Sequence, residues 1–347
     1  MSDHKYTMTI GLNVLRHLGM GLYSNTPAVL SEVVANSWDA DATKVIIDID
    51  VDRNEITIED NGIGMTTQDI NDKYLMVGYQ KRKKESSTTA KGRTIMGRKG
   101  IGKLSVFSIA RVVELHTVKN GEKSGCLMSL CKIEKQIESG DSDYHPIPIS
   151  SDKLNLTPGT KIILKELKKD TSRTEDFLRR RLARRFSIMG DERDFEVMVN
   201  GTSISAKDRD YYDKIEFMWY LGDESQKYVD RCSNTLRENV MLDNEIMVNG
   251  EKRKVTGWIA TIDEQKNIDE QHNTIVVFAR GKLIHEDILK DLKEGGIYSK
   301  YLIGEIDADF MDDTEQPDIV TSDRQSMKED DLRYEALKEF IRKSLKS

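Results

Sequence analysis

Glu32, Asn36 and Asp39 stand at i, i+4 and i+7 in the segment "EVVANSWDA". That spacing puts a carboxylate, an amide and a second carboxylate on one face of a helix. Val33, Val34 and Ala35 lie between them, so most of this helix reads as buried. Polar groups on such a helix need a purpose, because each costs about 1–3 kcal/mol if buried without a partner. Taken alone, the three residues are equally compatible with solvent exposure or helix capping.

Three further segments carry chemistry. In "EDNGIGM", Asp60 and Asn61 precede Gly62 and Gly64 at the end of a strand-like run. Glycines there let the backbone turn sharply and approach a flat ligand. An ionised Asp can accept a hydrogen bond from an exocyclic amine such as that of adenine, although a lone "DNG" is otherwise simply a turn. In "GRKGIGKLS", Gly97, Gly102 and Lys103 follow the phosphate-binding P-loop spacing. Leu104 then occupies the hydroxyl position, and Ser105 arrives one place late. Gly97, Gly100 and Gly102 precede an expected helix whose free N–H groups and dipole would form an anion site, with Lys99 and Lys103 adding charge. In "PGTKIILKEL", Gly159 and Thr160 open a strand, and the Thr160 hydroxyl is placed to share a hydrogen bond with Asp60 and a base.

The elements that must position these residues follow from periodicity. Leu12, Leu15, Leu18 and Leu22 predict a helix over 11–25. A second helix is predicted over 26–41, with Thr26 as N-cap and Pro27 at its first position. "KVIIDIDVD" and "EITIEDNGIG" alternate like paired strands. A helix near 66–76, a polar, basic mobile loop over 78–96, a helix "GKLSVFSIA" and a strand "RVVELHTV" follow. Residues 121–158 read as strands with polar loops, and "GTKIILKEL" as a closing strand. "TEDFLRRRLARRFSIM" is a basic amphipathic helix over 174–189. Beyond it come the hairpin "FEVMVNGTSIS", strands "VTGWIATI", "NTIVVFARG" and "YLIGEIDADF", and a helix from about 327. "MVNG" occurs twice, and both copies predict Asn-Gly hairpin turns. The domain boundary falls near 190, separating 1–189 from 190–347.

The order of the four boxes, "EVVANSWDA", "DNGIGM", "GRKGIGKLS" and "GTK", resembles the GHKL ATPases: gyrase B, the ninety-kilodalton heat-shock chaperone, histidine kinases and MutL. The resemblance covers about residues 10–170. It implies an α+β fold, a two-layer α/β sandwich (the Bergerat fold) with a mixed sheet under helices, and ATP with Mg²⁺ as cofactors. Carried over by position, Glu32 is the general base that orients and deprotonates water, and Asn36 is the Mg²⁺ ligand. Asp60 reads adenine, supported by Gly62, Gly64, Met65 and Thr160, and Asp39 helps on the nucleotide side. Gly97, Lys99, Gly100, Ile101, Gly102 and Lys103 form the lid hinge and phosphate cradle. Ser105 then has no metal to hold.

The chain begins the ATPase fold by about residue 10, which leaves no room for the phospho-acceptor hairpin of histidine kinases. Residues 190–347 resemble instead the smaller α/β transducer domain of the other branches. In that reading Arg324 of "DIVTSDRQSM" reaches the γ-phosphate, with Gln325 and Lys282 as weaker counterparts. The pattern is most similar to bacterial ATP-binding proteins related to MORC and the chaperone, many of which sit in phage-defence systems beside nucleases. MutL is disfavoured, because its third box reads "GFRGEAL". The resemblance implies an ATP-gated, homodimerising clamp in defence or DNA transactions. Alternatives are a module that recruits an effector nuclease with little turnover, and a chaperone-like ATPase.

Composition narrows the partners. The net charge of −7 argues mildly against a dedicated nucleic-acid binder. Arg179, Arg180, Arg181, Arg184 and Arg185 nevertheless offer a basic helix that could hold a nucleic-acid backbone or salt-bridge to acidic runs. No apolar run approaches the roughly 20 residues of a membrane helix, so no membrane partner is expected. Three cysteines without a CxxC pair and an N-terminus lacking a secretory pattern point to the cytoplasm. The chain leaves no room for a large C-terminal dimerisation domain, so either the sequence is part of a longer protein or dimerisation would rest on the N-terminal half alone.

Overall fold

A computed structural model describes residues 25–139, 143–168, 175–189, 194–232, 235–262, 274–292, 301–320 and 327–346. The expected helix over 11–25 lies outside them. Helix α1 spans Thr26–Asp39. Its N-cap is Asn25 and not Thr26: the Asn25 side-chain oxygen accepts from the Ala28 N–H at 2.9 Å, satisfying one of the donors that a helix start leaves open. Every residue of α1 is buried except Thr26 and Asn36. The helix stops at Ala40, after which Asp41 adopts a left-handed φ of 57°.

The chain divides into two compact units that interleave in sequence. The first takes residues up to Arg93, Gly97–Glu175 and Phe195–Ser203. It holds an eight-stranded sheet in the order β5-β4-β3-β6-β2-β1-β7-β8. The strands are β1 (Lys44–Asp50), β2 (Glu55–Asp60), β3 (Ala110–Lys119), β4 (Glu122–Ser129), β5 (Ile147–Pro148), β6 (Gly159–Leu167), β7 (Glu196–Val199) and β8 (Thr202–Ser203). All pairs are antiparallel except β1 with β7, so the sheet is mixed. Alternation buries Val45, Ile47, Ile56, Ile58, Val113, Leu115, Ile162 and Leu164, the period-2 pattern of a sheet covered on one face.

Several local expectations change. The helix near 66–76 is a single capped turn at Thr67–Asp69 continued by a π-turn over Ile70–Tyr74. The helix after the glycines is a 3₁₀ helix, Gly102–Ser108. Residues 121–158 contain a helix, Leu130–Ser139, in which Leu130 and Ile133 are buried. The hairpin after 194 belongs to the first unit, since β7 extends the sheet beside β1.

The second unit comprises Thr94–Met96, Asp176–Asp194 and Ile204–Ser347. Its sheet runs β10-β9-β13-β16-β14-β15, from β9 (Ile215–Leu221), β10 (Glu238–Leu242), β13 (Thr256–Ile262), β14 (Ile275–Ala279), β15 (Lys282–His285) and β16 (Leu302–Asp307). A hairpin of β11 (Glu245–Val248) and β12 (Glu251–Lys254) stands apart. One core joins Ile275, Val277 and Ile306 to Tyr334, Leu337 and Ile341 of the C-terminal helix Leu332–Ser344. Another gathers Tyr211, Tyr212, Tyr228 and Trp258. Both Asn-Gly turns form with positive φ at each residue, Asn200–Gly201 and Asn249–Gly250, as a type I′ hairpin requires. Among the described residues no helix is long and apolar enough to cross a membrane.

Candidate nucleotide site

Helix α1 and the end of β2 meet at Asp60. Ser37 Oγ donates to Asp60 Oδ2 at 2.9 Å, and the Gly62 N–H donates to Oδ1 at 2.9 Å. Thr160 lies opposite Asp60 in the β2–β6 ladder, and its backbone N–H also bonds the carboxylate. Burial nevertheless raises the Asp60 pKa above the usual carboxylate value, outweighing these hydrogen bonds. The fold thus holds one half-buried carboxyl group with its orientation fixed.

The adjoining turn needs its glycines. A Cβ on Gly62 would lie 2.7 Å from the Ala40 carbonyl oxygen, and one on Gly64, at φ +65°, would lie 2.1 Å from the Val118 oxygen. Met65 N–H donates to Thr117 Oγ1 at 2.8 Å. Thr117 is fully buried, donates to the Gly159 carbonyl at 2.9 Å and lies 3.3 Å from Thr160 Oγ1. The Thr160 hydroxyl therefore sits at Thr117, and it is the Thr160 backbone that serves Asp60. Asn61 is a staple: its Oδ1 accepts from the Thr43 and Lys44 N–H groups, both at 2.8 Å, pinning the start of β1.

Farther along α1, the Glu32 carboxylate is buried at 7% exposure against Gly102. A Cβ there would fall 2.3 Å from Glu32 Oε2. Asn36 is the one exposed residue on the helix, so the surface above α1 is open at the amide. Among the described residues no group of three or more His, Cys, Asp and Glu could hold a metal. A cation ligated by Asn36 would share its remaining ligands with phosphates and water, which suits Mg²⁺.

Asp39 turns toward the glycine-rich segment. Its Oδ2 accepts from the Gly97 N–H at 2.8 Å, and its carbonyl accepts from Lys81 Nζ at 2.7 Å. Gly97 thus spends its N–H on Asp39. Residues 78–93 are strapped to the same end of α1. Lys91 N–H donates to Asp41 Oδ2 at 3.2 Å, and Arg93 Nη1 to the Ala42 carbonyl at 2.5 Å. The Arg93 guanidinium stacks 4.4 Å from the Trp38 ring, which meets Phe195 edge-on. A helical turn at Lys81–Lys84 and the Tyr79–Glu85 hydrogen bond at 2.6 Å order the segment further.

Gly100 has φ +67° and passes so close to Tyr79 that a Cβ would lie 2.2 Å from its oxygen. Gly78 N–H bonds the Gly100 carbonyl at 3.2 Å, fixing that crossing. Lys99 and Ile101 flank it, both half-buried. Lys103 faces carbonyls, donating to Lys73 O at 2.6 Å and Met76 O at 2.5 Å. With no carboxylate beside it, burial lowers its pKa to about 8. Ser105 is fully buried, and among the described residues its hydroxyl has no hydrogen-bond partner, so the late hydroxyl points into the interior.

Arg324 and Gln325 lie outside the described residues. Lys282 is buried in β15 of the second unit. The arginine-rich helix, Glu175–Ala183, spends its charge locally. Arg179 pairs with Asp176 and Asp208, Arg180 with Asp210 and Arg185 with Glu286. Arg184 donates to the Arg209 carbonyl, and Arg181 lies 5.2 Å over the Phe177 ring. These contacts favour the salt-bridged reading over a nucleic-acid surface. Sequence reasoning missed Ser37 and Thr117. Ser37 had a signal, since it follows Asn36 on a helix with few solvent-facing positions.

A mixed sheet, a buried helix bearing Glu32, Asn36 and Asp39, and a strand-end carboxyl beside a Gly-x-Gly turn define an α/β sandwich of the Bergerat type. Residues 23–171 match the family described as histidine kinase-, DNA gyrase B-, and HSP90-like ATPase, so the likeness is carried by this domain. Over 342 residues it is 43% identical to the candidate type II restriction enzyme HgiDII of Herpetosiphon aurantiacus, covering 99% of this chain and 55% of the relative. The chaperone protein HtpG of Anaplasma marginale is 29% identical over 186 residues, 47% of this chain and 27% of the chaperone. HtpG of Francisella tularensis subsp. novicida is 34% identical over 145 residues, 35% and 23% respectively. The chain spans about half the length of the first relative and about a quarter of the chaperones.

Proposed function

We propose that this chain is an ATP hydrolase whose nucleotide state gates homodimerisation in a DNA transaction, with a nuclease as effector. The observation that carries the reading is a pair of carboxyl groups at α1, Glu32 buried on the helix and Asp60 half-buried at the end of β2 beside Ser37. Asp60 is oriented by Ser37 and Gly62, and Glu32 is pressed against Gly102. The two suit different tasks. Asp60 offers a fixed acceptor to an adenine amine, and Glu32 orients a water and takes its proton. Asn36 would hold Mg²⁺, which neutralises charge on the phosphates when bound. Gly100 and Gly102 let the backbone of the glycine-rich segment approach those phosphates, and the resemblance gives Arg324 a role at the γ-phosphate.

The DNA-transaction reading is favoured over a chaperone by coverage. Similarity to the restriction-enzyme relative runs through both units, whereas the HtpG matches span less than half the chain. Glu32→Ala tests the hydrolase: ATP binding is retained while turnover falls about 10²–10⁴-fold, the usual range for a general base. Unchanged turnover would refute the assignment. A native chain that binds ATP and dimerises with it, yet shows negligible turnover, would leave the effector-recruiting module as the function.

A further inference from the structure

At the outer edge of the six-stranded sheet, β10 pairs with β9 on its inner side in a continuous parallel register. Among the described residues no strand covers its other side. Glu238, Asn239, Val240 and Met241 are all exposed, Val240 at 43% and Met241 at 51%. An open strand edge is a template for another strand, and folded chains usually blunt it with Lys, Pro or a bulge. The sequence "ENVML" contains neither Lys nor Pro, and its pairing with β9 has no bulge.

We propose that β10 is a self-pairing edge, to which a second copy of this chain adds antiparallel about a twofold axis centred on Val240. The backbone faces the right way. The Leu242 carbonyl accepts from the Gly222 N–H at 3.1 Å, on the β9 side. Alternation along the strand then turns the N–H and C=O groups of Asn239 and Met241 outward. A twofold on Val240 sets Asn239 opposite Met241 of the other copy, so these outward groups form the hydrogen-bonded pairs. Val240 meets its twin in the non-hydrogen-bonded pair, where side chains come closest. Of the twofold centres that satisfy the outward groups, this one overlays all five residues of β10.

Charge is self-complementary in the same register. Just beyond the two ends of β10, Arg237 (side chain 70% exposed) and the exposed Asp243 carry opposite charges, so an antiparallel second copy brings each near its counterpart, with the Arg237 N–H itself turned to the Glu216 carbonyl at 2.8 Å and Asp243 Oδ1 accepting from the Glu245 N–H at 3.1 Å. Arg237 already pairs with Glu216 of its own chain, so its guanidinium would bridge carboxylates of both copies. Such an isologous contact closes on itself and stops at a dimer. It needs no nucleotide.

Sedimentation of the nucleotide-free chain over a range of concentrations tests this dimer. Arg237→Asp and Asp243→Arg should each raise the dimer Kd roughly tenfold or more, as two opposite-charge pairs become like-charge pairs. Combining the two changes should restore it. In a Cys131→Ser background, Val240→Cys should cross-link under mild oxidation, because non-hydrogen-bonded pairs bring Cα atoms within disulfide reach. Met241→Cys should cross-link far less. A native chain that stays monomeric, or a dimer indifferent to the charge reversals with no Val240→Cys cross-link, would overturn the proposal. Asp60→Asn should leave this dimer intact, which separates it from any dimer driven by ATP.

Discussion

Replacing Asp60 by Asn separates the binding role of that carboxyl from its structural one. The hydrogen-bond inventory predicts a fold that tolerates the change. Asn keeps Oδ1 for the Gly62 N–H, and its amide nitrogen takes the Oδ2 position beside Ser37. The Ser37 hydroxyl lies 3.2 Å from the Val33 carbonyl as well as 2.9 Å from Asp60, so its proton can turn to Val33 while its oxygen accepts from the new amide. Burial of the ionised form is what raises the Asp60 pKa, and removing that charge offsets whatever geometry is lost. Stability should stay within about 1 kcal/mol of native, in the range of substitutions without a large named defect. For the ligand the change is severe. An adenine amine loses a hydrogen bond to a charged acceptor, about 1.5–3 kcal/mol, and meets a buried donor instead, at about 1–3 kcal/mol more. Together these weaken ATP about 10²–10³-fold or more at 1.4 kcal/mol per decade. Titration calorimetry with ATP, paired with a thermal melt, checks both halves. Native ATP affinity in a folded Asp60→Asn protein would refute the adenine assignment. A protein that fails to fold would refute the hydrogen-bond accounting.

Other outcomes follow from the same geometry. Gly102→Ala places a methyl 2.3 Å from Glu32 Oε2 and should cut turnover about 10²-fold with little loss of ATP binding, as displacing a catalytic group by about 1 Å does; steady-state turnover beside binding titration decides it. Arg93→Ala removes the stack on Trp38 and the bond to the Ala42 carbonyl. Amides over 78–93 should then exchange hydrogen about tenfold faster, and unchanged protection would show that the strap does not hold the lid. Burial pushes Asp307 up to about 7 from an ordinary 3.8. The folded state then keeps a proton that the unfolded chain releases, so stability falls as pH rises from about 4 to about 7 and is level above. Asp307→Asn can still accept from Ser187, and it should flatten that slope and raise the Tm at pH 8 more than at pH 4.

The elements that carry the candidate site were legible because they have strong periodicity. The buried alternation of β1, β2 and β6 and the apolar run around Glu32 gave those strands and α1 an unambiguous reading. Gly62 and Gly64 were readable as turn residues before the oxygens that exclude their Cβ atoms were known. What escaped depended on tertiary contacts. Lys103 was expected at phosphate, but carbonyls at the end of the Ile70–Tyr74 π-turn take its protons, and no periodicity announces such a turn. The run "RRRLARR" left a nucleic-acid surface and local ion pairs both open, and the partners Asp208, Asp210 and Glu286 come from distant sequence. Thr117 was invisible because a single Thr in a strand carries no signal, although it gathers Met65, Gly159 and Thr160.

The parallel pairing of β7 with β1 sets a schedule for synthesis. Lys44–Ile47 emerges from the ribosome about 150 residues before its partner, Glu196–Val199. Until then β1 presents a raw edge to its surroundings, and Trp38 lacks the Phe195 ring that packs against it. Fragments cut near residue 189 would keep that edge permanently. They should therefore aggregate or recruit chaperones where a fragment ending after Ser203 does not, and the translation pause most useful to this chain would fall beyond that point, once β8 has left the ribosome.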